Sequence, residues 1–151
     1  MLLSLYWKVK MKSTIDSIHL INLTKKQPFY TENSIILNNN ESLPFEVKRC
    51  YYLYNVPSTE LRGGHAHKNL YQVIIAASGS FDITVDDGTN KKTYTLNNKN
   101  TGLYIIPGIW RTLNNFSPDA VCLVLASELY IENDYIRDYK SFIDWRNNGQ
   151  I

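Results

Sequence analysis

Hydrophobic and polar residues along this chain alternate with a period of two over many short stretches. Strands have this period because successive side chains point to opposite faces of a sheet. Turn-forming residues separate the stretches, and Asp86-Asp87-Gly88 is typical of a tight hairpin turn. The pattern predicts strands over residues 18–23, 30–37, 45–54, 71–77, 81–85, 92–96, 102–106, 112–116 and 120–126. Short strands at this spacing are typical of a β-sandwich or a β-barrel.

The C-terminal part of the chain has a different period. From residue 135 onward, apolar side chains recur at the spacing of one helical face. The residues at this spacing are Tyr135, Ile136, Tyr139, Phe142 and Ile143. Asn133 or Asp134 would cap the first turn, and Gly149 follows the last one. We therefore expect a short amphipathic helix that docks on the strands.

The length and patterning of the chain are those of one domain. Its 151 residues suffice for a hydrophobic core, and no repeat, linker or low-complexity tract divides them. We assign residues 13–151 to this domain, and residues 1–12 to an N-terminal appendage that can be disordered.

Charge and cysteine content limit which kinds of binding partner and which cellular compartment we expect. Sixteen basic and 14 acidic residues give a net charge of +2, too balanced to favour nucleic acid or an anionic membrane. No apolar run approaches the ~18 residues of a membrane span. Lys8 interrupts the first apolar run too early for a signal peptide. Cys50 and Cys122 lie in apolar strand patterns without a Cys-x-x-Cys motif, so we expect two buried thiols in a reducing cytoplasm.

A histidine pair, His65 and His67, stands just before the predicted strand at residue 71. Side chains two positions apart on a strand point to the same face, and Gly63 and Gly64 allow another backbone to approach closely. The two imidazoles could simply fill a barrel interior. The compact His-x-His pattern behind two glycines favours a function in chemistry.

Two segments resemble the signature motifs of the cupin family of small β-barrels. One runs from Arg62 to His67 with Gly79 downstream, and the other runs over residues 102–111 with Pro107-Gly108 inside it. The resemblance implies an all-β, single-domain cupin, a jelly-roll β-barrel, with a short C-terminal helix. A metal-binding cupin would carry Glu at Tyr71 and a third His at Arg111.

These two departures argue against a metal site. A bound metal generally needs at least three protein ligands. Arg111 would also place a fixed positive charge beside any cation. We therefore predict no metal and no other cofactor. Unligated histidines with a pKa near ~6.5 would then act as proton carriers at neutral pH.

Other candidates come from neighbouring strands. Tyr51 is expected on a strand beside the histidines, with its ring on the face of Arg49, where a hydroxyl can orient an imidazole or relay its proton. A core tyrosine is the competing interpretation. Arg49, Arg62 and Arg111 are candidate anion contacts, since guanidinium groups match phosphate oxygens bidentately. Surface ion pairs are the alternative for each.

A more specific resemblance covers residues 18–145. The segments 45–52, 62–68, 78–80, 86–88, 102–104, 125–127 and 130–139 closely resemble the dTDP-sugar 3,4-ketoisomerases. Members of that family move the carbonyl of dTDP-4-keto-6-deoxyglucose from carbon 4 to carbon 3. The resemblance implies a metal-free homodimer that acts on a dTDP-linked 4-keto-6-deoxyhexose.

The family's catalytic roles carry over to His65, His67 and Tyr51. Substrate-binding roles are expected for Arg49, Arg62, Arg111, Tyr30 and Tyr71. Tyr71 stands where members often carry Glu, and Arg111 where some carry His. These departures bear on the configuration at carbon 4 of the product more than on the reaction.

The implied reaction removes a proton from carbon 3 and returns one to carbon 4 through an enediol. We assign the carbon-bound proton to His65, the hydroxyl proton to His67, and an orienting and relaying role to Tyr51. Three alternatives stay open: a dTDP-sugar 3,5-epimerase, a non-catalytic sugar-nucleotide-binding cupin, and, disfavoured by Tyr71 and Arg111, a metal oxygenase.

Overall fold

Strands are the main regular secondary structure in a computed structural model that describes residues 12–24 and 33–149. Short 3-10 turns lie at Ile15–Ser17 and Glu132–Asp134. The described strands are β1 (His19–Asn22), β2 (Arg49–Tyr54), β3 (Arg62–His67), β4 (Gln72–Ser78), β5 (Phe81–Asp86), β6 (Lys91–Leu96), β7 (Thr101–Ile105), β8 (Trp110–Asn114), β9 (Val121–Ala126) and β10 (Tyr135–Ile136). One helix, α1 (Tyr139–Asn147), follows them.

The strands described form two antiparallel sheets that face each other. The first has the order β1-β7-β4-β9-β2 and the second the order β10-β3-β8-β5-β6. Apolar side chains from the two inner faces meet between the sheets, and Ile83, Val85, Leu103 and Ile105 have no exposed surface there. Burying such side chains is the main favourable contribution to folding, at roughly 1.5–3 kcal/mol each.

The outer face of β4, the middle strand of the first sheet, is also covered. Val73 and Ile75 of β4 point away from the inner face and pack against Leu23 and Leu43 from the flanking loops. A strand that is buried on both faces has no reason to alternate. This explains why residues 73–76 form a continuous apolar run.

The alternating pattern predicted most of the described strands correctly, but it was wrong at residues 33–37, at the start of β2 and around the histidine pair. Residues 33–37 form no strand, and residues 30–32 of that prediction lie outside the described part of the chain. The expected strand over 45–54 begins only at Arg49. The histidines form their own strand, β3, and they lie in a different sheet from β4. The expectation that Tyr51 lies beside them is therefore wrong: β2 pairs with β9 and faces β3 across the interior.

The C-terminal helix is real but begins later than its period indicated. Tyr135 and Ile136 form β10, which pairs with β3 opposite His67 and Ala66. The helix starts at Tyr139, where the Asp138 side chain caps it by accepting a 2.8 Å hydrogen bond from the Ser141 backbone N–H. Ile136 and Phe142 still pack together, with Ala66. Their shared burial is what made the two segments look like one helix.

Arg146 fastens this helix to the rest of the fold. Its side chain is buried, and its Nη1 donates to the Gly108 carbonyl. Its Nη2 donates to the Ser13 carbonyl at 2.7 Å. The guanidinium thus joins α1 to the start of the described chain and to the turn before β8. The predicted appendage over residues 1–12 lies outside the described residues except for the exposed Lys12.

The two cysteines are free thiols in different surroundings. Cys122 faces the core, where burial raises its pKa to about 12, whereas Cys50 is exposed. The expectation of two buried thiols is wrong for Cys50 because the outer face of β2 is uncovered in the described structure, as the exposure of Tyr52 and Tyr54 also shows. No helix in the described part of the chain has the length and apolar character needed to span a bilayer.

Candidate active site

A small cavity lies between the two sheets and is lined by the polar residues that the sequence singled out. Its volume is about 140 Å³, and both sheets contribute to its wall. The lining residues are Tyr51, Leu53, Gln72, Ile74 and Val124 from the first sheet, and Arg62, Gly63, His65, Arg111 and Leu113 from the second. The structure thus brings His65, Tyr51 and Arg111 together from three separate strands.

The backbone of β3 places His65 against Arg111. The pairing of β3 with β8 shifts register between Gly63 and His65, and after this bulge His65 lies opposite Arg111. Gly63 has a φ of +80°, and a Cβ there would come within 2.8 Å of the Arg111 carbonyl oxygen. A glycine is therefore required for the bulge, and the bulge aims His65 into the cavity.

His67 is held by a carboxylate on the C-terminal tail. Its Nδ1 lies 2.9 Å from Oδ2 of Asp134, and both side chains are buried. The other carboxylate oxygen accepts the backbone N–H of Asn69 at 2.7 Å, and the Asp134 carbonyl accepts the N–H of Lys68 at 2.9 Å. Nε2 of His67 has no hydrogen-bond partner within residues 12–24 and 33–149.

Tyr135 forms a second wall beside the histidines. The centroid of its ring lies 4.3 Å from the ring centroid of His67 and 5.0 Å from that of His65. The two imidazole rings are nearly perpendicular, with their centroids 4.9 Å apart. Its hydroxyl accepts a 3.2 Å hydrogen bond from Nη2 of Arg49. Arg49 thus contacts the site through this tyrosine. Sequence reasoning missed Tyr135 and Asp134 as site residues because both were assigned to the start of a helix.

Gln72 is a further residue that sequence reasoning missed. It is 1% exposed, and its Nε2 donates to the Tyr51 hydroxyl at 3.3 Å. Tyr71, which was expected in the pocket, starts the outward-facing series that continues with Val73, and its ring stacks on Tyr104 at 6.1 Å. Gln72 thus occupies the inward position after the histidine motif that Tyr71 was expected to fill. Counting one residue further from His67 could have identified it.

Arg111 is the dominant charge of the cavity. Its side chain is buried, and none of its guanidinium nitrogens has a hydrogen-bond partner among the described residues. Burial lowers its pKa to about 10, which leaves it positively charged at neutral pH. An unpaired buried guanidinium is costly. A ligand with carbonyl, hydroxyl or anionic oxygens would supply the missing acceptors.

Both histidines are weaker bases than the sequence suggested. Burial, reinforced by the Arg111 charge, lowers the pKa of His65 from 6.5 to about 3. The same two causes hold the pKa of His67 well below its usual value. The expectation of ordinary histidine pKa values is therefore wrong, because the pattern of residues could not show how completely β3 is enclosed. Both imidazoles are neutral at pH 7.

The remaining predicted contacts lie towards the edge of the site. Arg62 lines the mouth of the cavity and forms an ion pair with Glu60, with both side chains partly exposed. Tyr30 lies outside the described residues. Within those residues, no group of three or more His, Cys, Asp or Glu side chains is arranged to hold a metal ion. The groups that accompany the histidine pair are the amide of Gln72 and the cation of Arg111.

Two facing antiparallel sheets, with a histidine pair that glycines direct into the interior, define a protein of the cupin class. The chain belongs to the FdtA family, described as WxcM-like, C-terminal, whose family model matches residues 12–147. A curated relative from Aneurinibacillus thermoaerophilus is 42% identical over 108 residues, which cover 72% of this chain and 78% of the relative. That relative is a TDP-4-oxo-6-deoxy-α-D-glucose 3,4-oxoisomerase.

Solved structures give the same assignment. A 3,4-ketoisomerase from Helicobacter canadensis is 42% identical with a TM-score of 0.80, covering 87% of this chain and 98% of that chain. The QdtA 3,4-ketoisomerase from Thermoanaerobacterium thermosaccharolyticum, as a histidine-to-asparagine variant with TDP-4-keto-6-deoxyglucose, is 35% identical with a TM-score of 0.79. It covers 87% of this chain and 94% of its own.

The epimerase alternative has weaker support. ChmJ, a 3'-monoepimerase from Streptomyces bikiniensis, is 18% identical with a TM-score of 0.53, covering 59% of this chain and 50% of its own. At this identity the likeness shows a shared fold alone. The curated relative and the ketoisomerase structures therefore favour the 3,4-ketoisomerase interpretation over the epimerase.

Proposed function

We propose that this protein is a dTDP-4-keto-6-deoxy-D-glucose 3,4-ketoisomerase that works by metal-free acid–base catalysis. The observation that carries the proposal is the enclosed combination of two neutral imidazoles with an unpaired, buried Arg111 guanidinium. Proton transfer beside a ketone needs a base for the carbon acid and a stabiliser for the developing oxyanion. The cavity holds both kinds of group.

His65 removes the proton from carbon 3 of the sugar, and the electron pair of that bond forms the double bond to carbon 4. The carbonyl oxygen on carbon 4 gains the negative charge, and Arg111 stabilises it. His67 transfers the proton of the carbon 3 hydroxyl to the oxygen on carbon 4. His65 then returns its proton to carbon 4, which leaves a carbonyl at carbon 3 and a hydroxyl at carbon 4.

Because the pKa of His65 is low, the reaction depends strongly on stabilisation of the enediolate by Arg111. An imidazole with a pKa of about 3 is a weak base, so it can deprotonate carbon only if the enediolate is strongly stabilised. A buried guanidinium held in place beside the reacting oxygen supplies such stabilisation without reorganisation. Tyr51 assists: because its hydroxyl accepts from Gln72, its own proton remains available for a sugar oxygen or for His65.

The nucleotide end of the substrate would bind at the mouth of the cavity. Arg62 is partly exposed there, and its ion pair is with the partly exposed Glu60, so a diphosphate can compete for it. Arg49 takes part by holding the Tyr135 wall. Tyr30 remains a predicted contact, and the outward-facing Tyr71 is left out of the proposed site.

The protein is further proposed to be a cytoplasmic homodimer. Two free thiols, one of them exposed, suit a reducing compartment. Strand β2 is an edge of the described first sheet and exposes Tyr52 and Tyr54, the kind of aromatic surface that a partner covers. Light scattering should give twice the monomer mass of 17.5 kDa, and a monomer at assay concentration would contradict the dimer.

The test of function is incubation of the purified protein with dTDP-4-keto-6-deoxyglucose, followed by NMR in deuterated water. We expect the carbonyl to move from carbon 4 to carbon 3, at the same rate before and after treatment with EDTA. Exchange at two ring carbons without carbonyl migration would instead identify an epimerase. An unchanged sugar that still binds would identify a binding module. Loss of activity with EDTA and its return with a divalent metal would contradict the metal-free mechanism.

A further inference from the structure

The contact between Asp134 and His67 does more than connect two segments. It is buried and short, with 2.9 Å between Oδ2 and Nδ1, and it reaches across 67 positions of sequence. It connects a residue of the C-terminal tail to an imidazole whose other nitrogen is unpartnered among the described residues. A carboxylate at this place therefore decides what the unpartnered nitrogen can do.

The chemistry of the contact determines the tautomer of His67. An ionised carboxylate can only accept hydrogen bonds, so the proton of a neutral imidazole must lie on Nδ1. Nε2 then carries a lone pair and can accept a proton. The opposite tautomer would set two lone pairs against each other at 2.9 Å and would leave Nε2 as a donor.

Asp134 itself has little freedom to change this arrangement. Its Oδ1 accepts the Asn69 N–H, its carbonyl accepts the Lys68 N–H, and the next residue pairs with His67 in β10. One carboxylate oxygen is thus engaged with the His67 ring and the other with the backbone of Asn69, two residues further along the chain. The side chain cannot rotate away without breaking its hydrogen bonds to both the Asn69 N–H and the His67 ring.

We propose that Asp134 is a positioning residue that holds His67 with Nδ1 protonated, so that Nε2 accepts the sugar hydroxyl proton during isomerisation. This inference rests on the proposed function for its catalytic consequence, whereas the tautomer itself does not depend on that function. A purely structural latch between the tail and β3 would need the hydrogen bonds but not a particular tautomer.

Asp134→Asn separates these two roles. The Asn69 N–H needs an acceptor, so the amide oxygen of the new side chain stays with it and the amide nitrogen faces His67. Nδ1 must then accept, and the proton moves to Nε2. The variant keeps the size of the side chain and its hydrogen bonds but inverts the tautomer of His67. If Asp134 were only a structural latch, this inversion would not affect catalysis.

The experiment measures nitrogen-15 NMR of protein labelled at histidine. The sequence holds three histidines, so His19→Gln and His65→Asn assign the spectrum. We expect Nδ1 of His67 to be protonated in the wild type and Nε2 to be protonated in Asp134→Asn. We also expect kcat to fall by about 10²-fold with little change in KM, because a misplaced proton affects transfer more than binding. Asp134→Glu keeps a carboxylate and should keep the wild-type tautomer.

Asp138→Asn is the matched control, because it makes the same change in the same tail at an exposed helix cap where Asn serves equally well. It should retain the wild-type spectrum and kcat. A wild-type His67 protonated at Nε2 overturns the inference, even if Asp134→Asn fails to fold. Wild-type kcat in a folded, tautomer-inverted variant also overturns it. Absence of isomerase activity in the wild type, with Nδ1 protonated, would instead contradict the proposed function.

Discussion

The two imidazoles have separate duties in the proposed reaction, and each is therefore indispensable. His65→Asn and His67→Asn remove a proton carrier while keeping a polar side chain of similar shape. We expect each to lower kcat by at least ~10²-fold, the usual contribution of a general acid–base group, without loss of dTDP binding. Tyr51→Phe should be milder because the bases remain. Steady-state kinetics together with calorimetric titration of dTDP decides, and a wild-type rate in either histidine variant contradicts its role.

Arg111 is the residue from which we expect control over the product. Its guanidinium is buried, reaches farther than an imidazole and cannot lose its charge at neutral pH. Arg111→His should slow carbonyl migration without abolishing it, because an imidazole can still donate a hydrogen bond to the sugar oxygen but carries no fixed charge, and it should change the ratio of gluco to galacto configuration at carbon 4. NMR of the product measures this ratio. An unchanged ratio at normal rate removes Arg111 from stereochemical control, and complete inactivity makes it an essential stabiliser.

The identity of single site residues was only partly predictable. His65, Tyr51 and Arg111 were predictable as cavity residues, and His67 as the neighbour of His65, because motif spacing and strand alternation determine which side chains point inward. Asp134 was not, because a capping role explained it equally well and its partner is 67 positions away. The pKa values of the histidines were not predictable either, since they depend on how tightly both sheets close over β3.

Strands rather than loops position this site, and Gly63 is the point where one strand is adjusted. Gly63→Ala would place a Cβ at 2.8 Å from the Arg111 carbonyl in a backbone conformation that alanine rarely adopts. We expect β3 and β8 to separate locally, and kcat to fall together with the melting temperature.

Gly64→Ala is the matched control, because its φ is also positive but nothing lies within 4 Å of an added Cβ. It should lose stability from backbone strain alone and keep more activity than Gly63→Ala. Equal activity in the two variants would show that close packing against β8 does not matter. Thermal melts and kinetics on both proteins make the comparison.

Element type was easier to predict from the sequence than element partnership. Alternation indicates which face of a strand is buried, and β2 does place Arg49, Tyr51 and Leu53 on its inner face. Alternation does not indicate which strand lies beside β2, so it could not show that Tyr51 lies in the sheet opposite the histidines. Tyr135 and Ile136 were read as helix because a two-residue strand is too short to have a period of its own.

The whole molecule should become less stable in mild acid because it encloses neutral histidines. The folded-state pKa of His65 is about 3, whereas an unfolded histidine titrates near ~6.5. The unfolded state therefore binds more protons between these values, and stability falls as pH falls through this window. From pH 7 to pH 5 this histidine alone should cost about 2 kcal/mol. His67 acts in the same direction.

Urea unfolding at pH 7 and pH 5 measures this effect. The window lies above the titration range of ordinary carboxylates, so histidines dominate it. His65→Asn should show a smaller loss of unfolding free energy between the two pH values than the wild type, and His19→Gln, at an exposed position, should show the same loss as the wild type. Identical losses in all three proteins would place the folded-state pKa of His65 near its ordinary value.

The bond from Arg146 to Ser13 has a kinetic consequence. It spans 133 positions, so it forms only after the intervening strands have brought both ends of the chain together. Contacts that form this late are absent from the folding transition state, so they must break before unfolding and they lower the unfolding rate. In stopped-flow chevrons, Arg146→Met should leave the refolding rate unchanged and raise the unfolding rate. An equal slowing of refolding would place the closure of these ends early in folding.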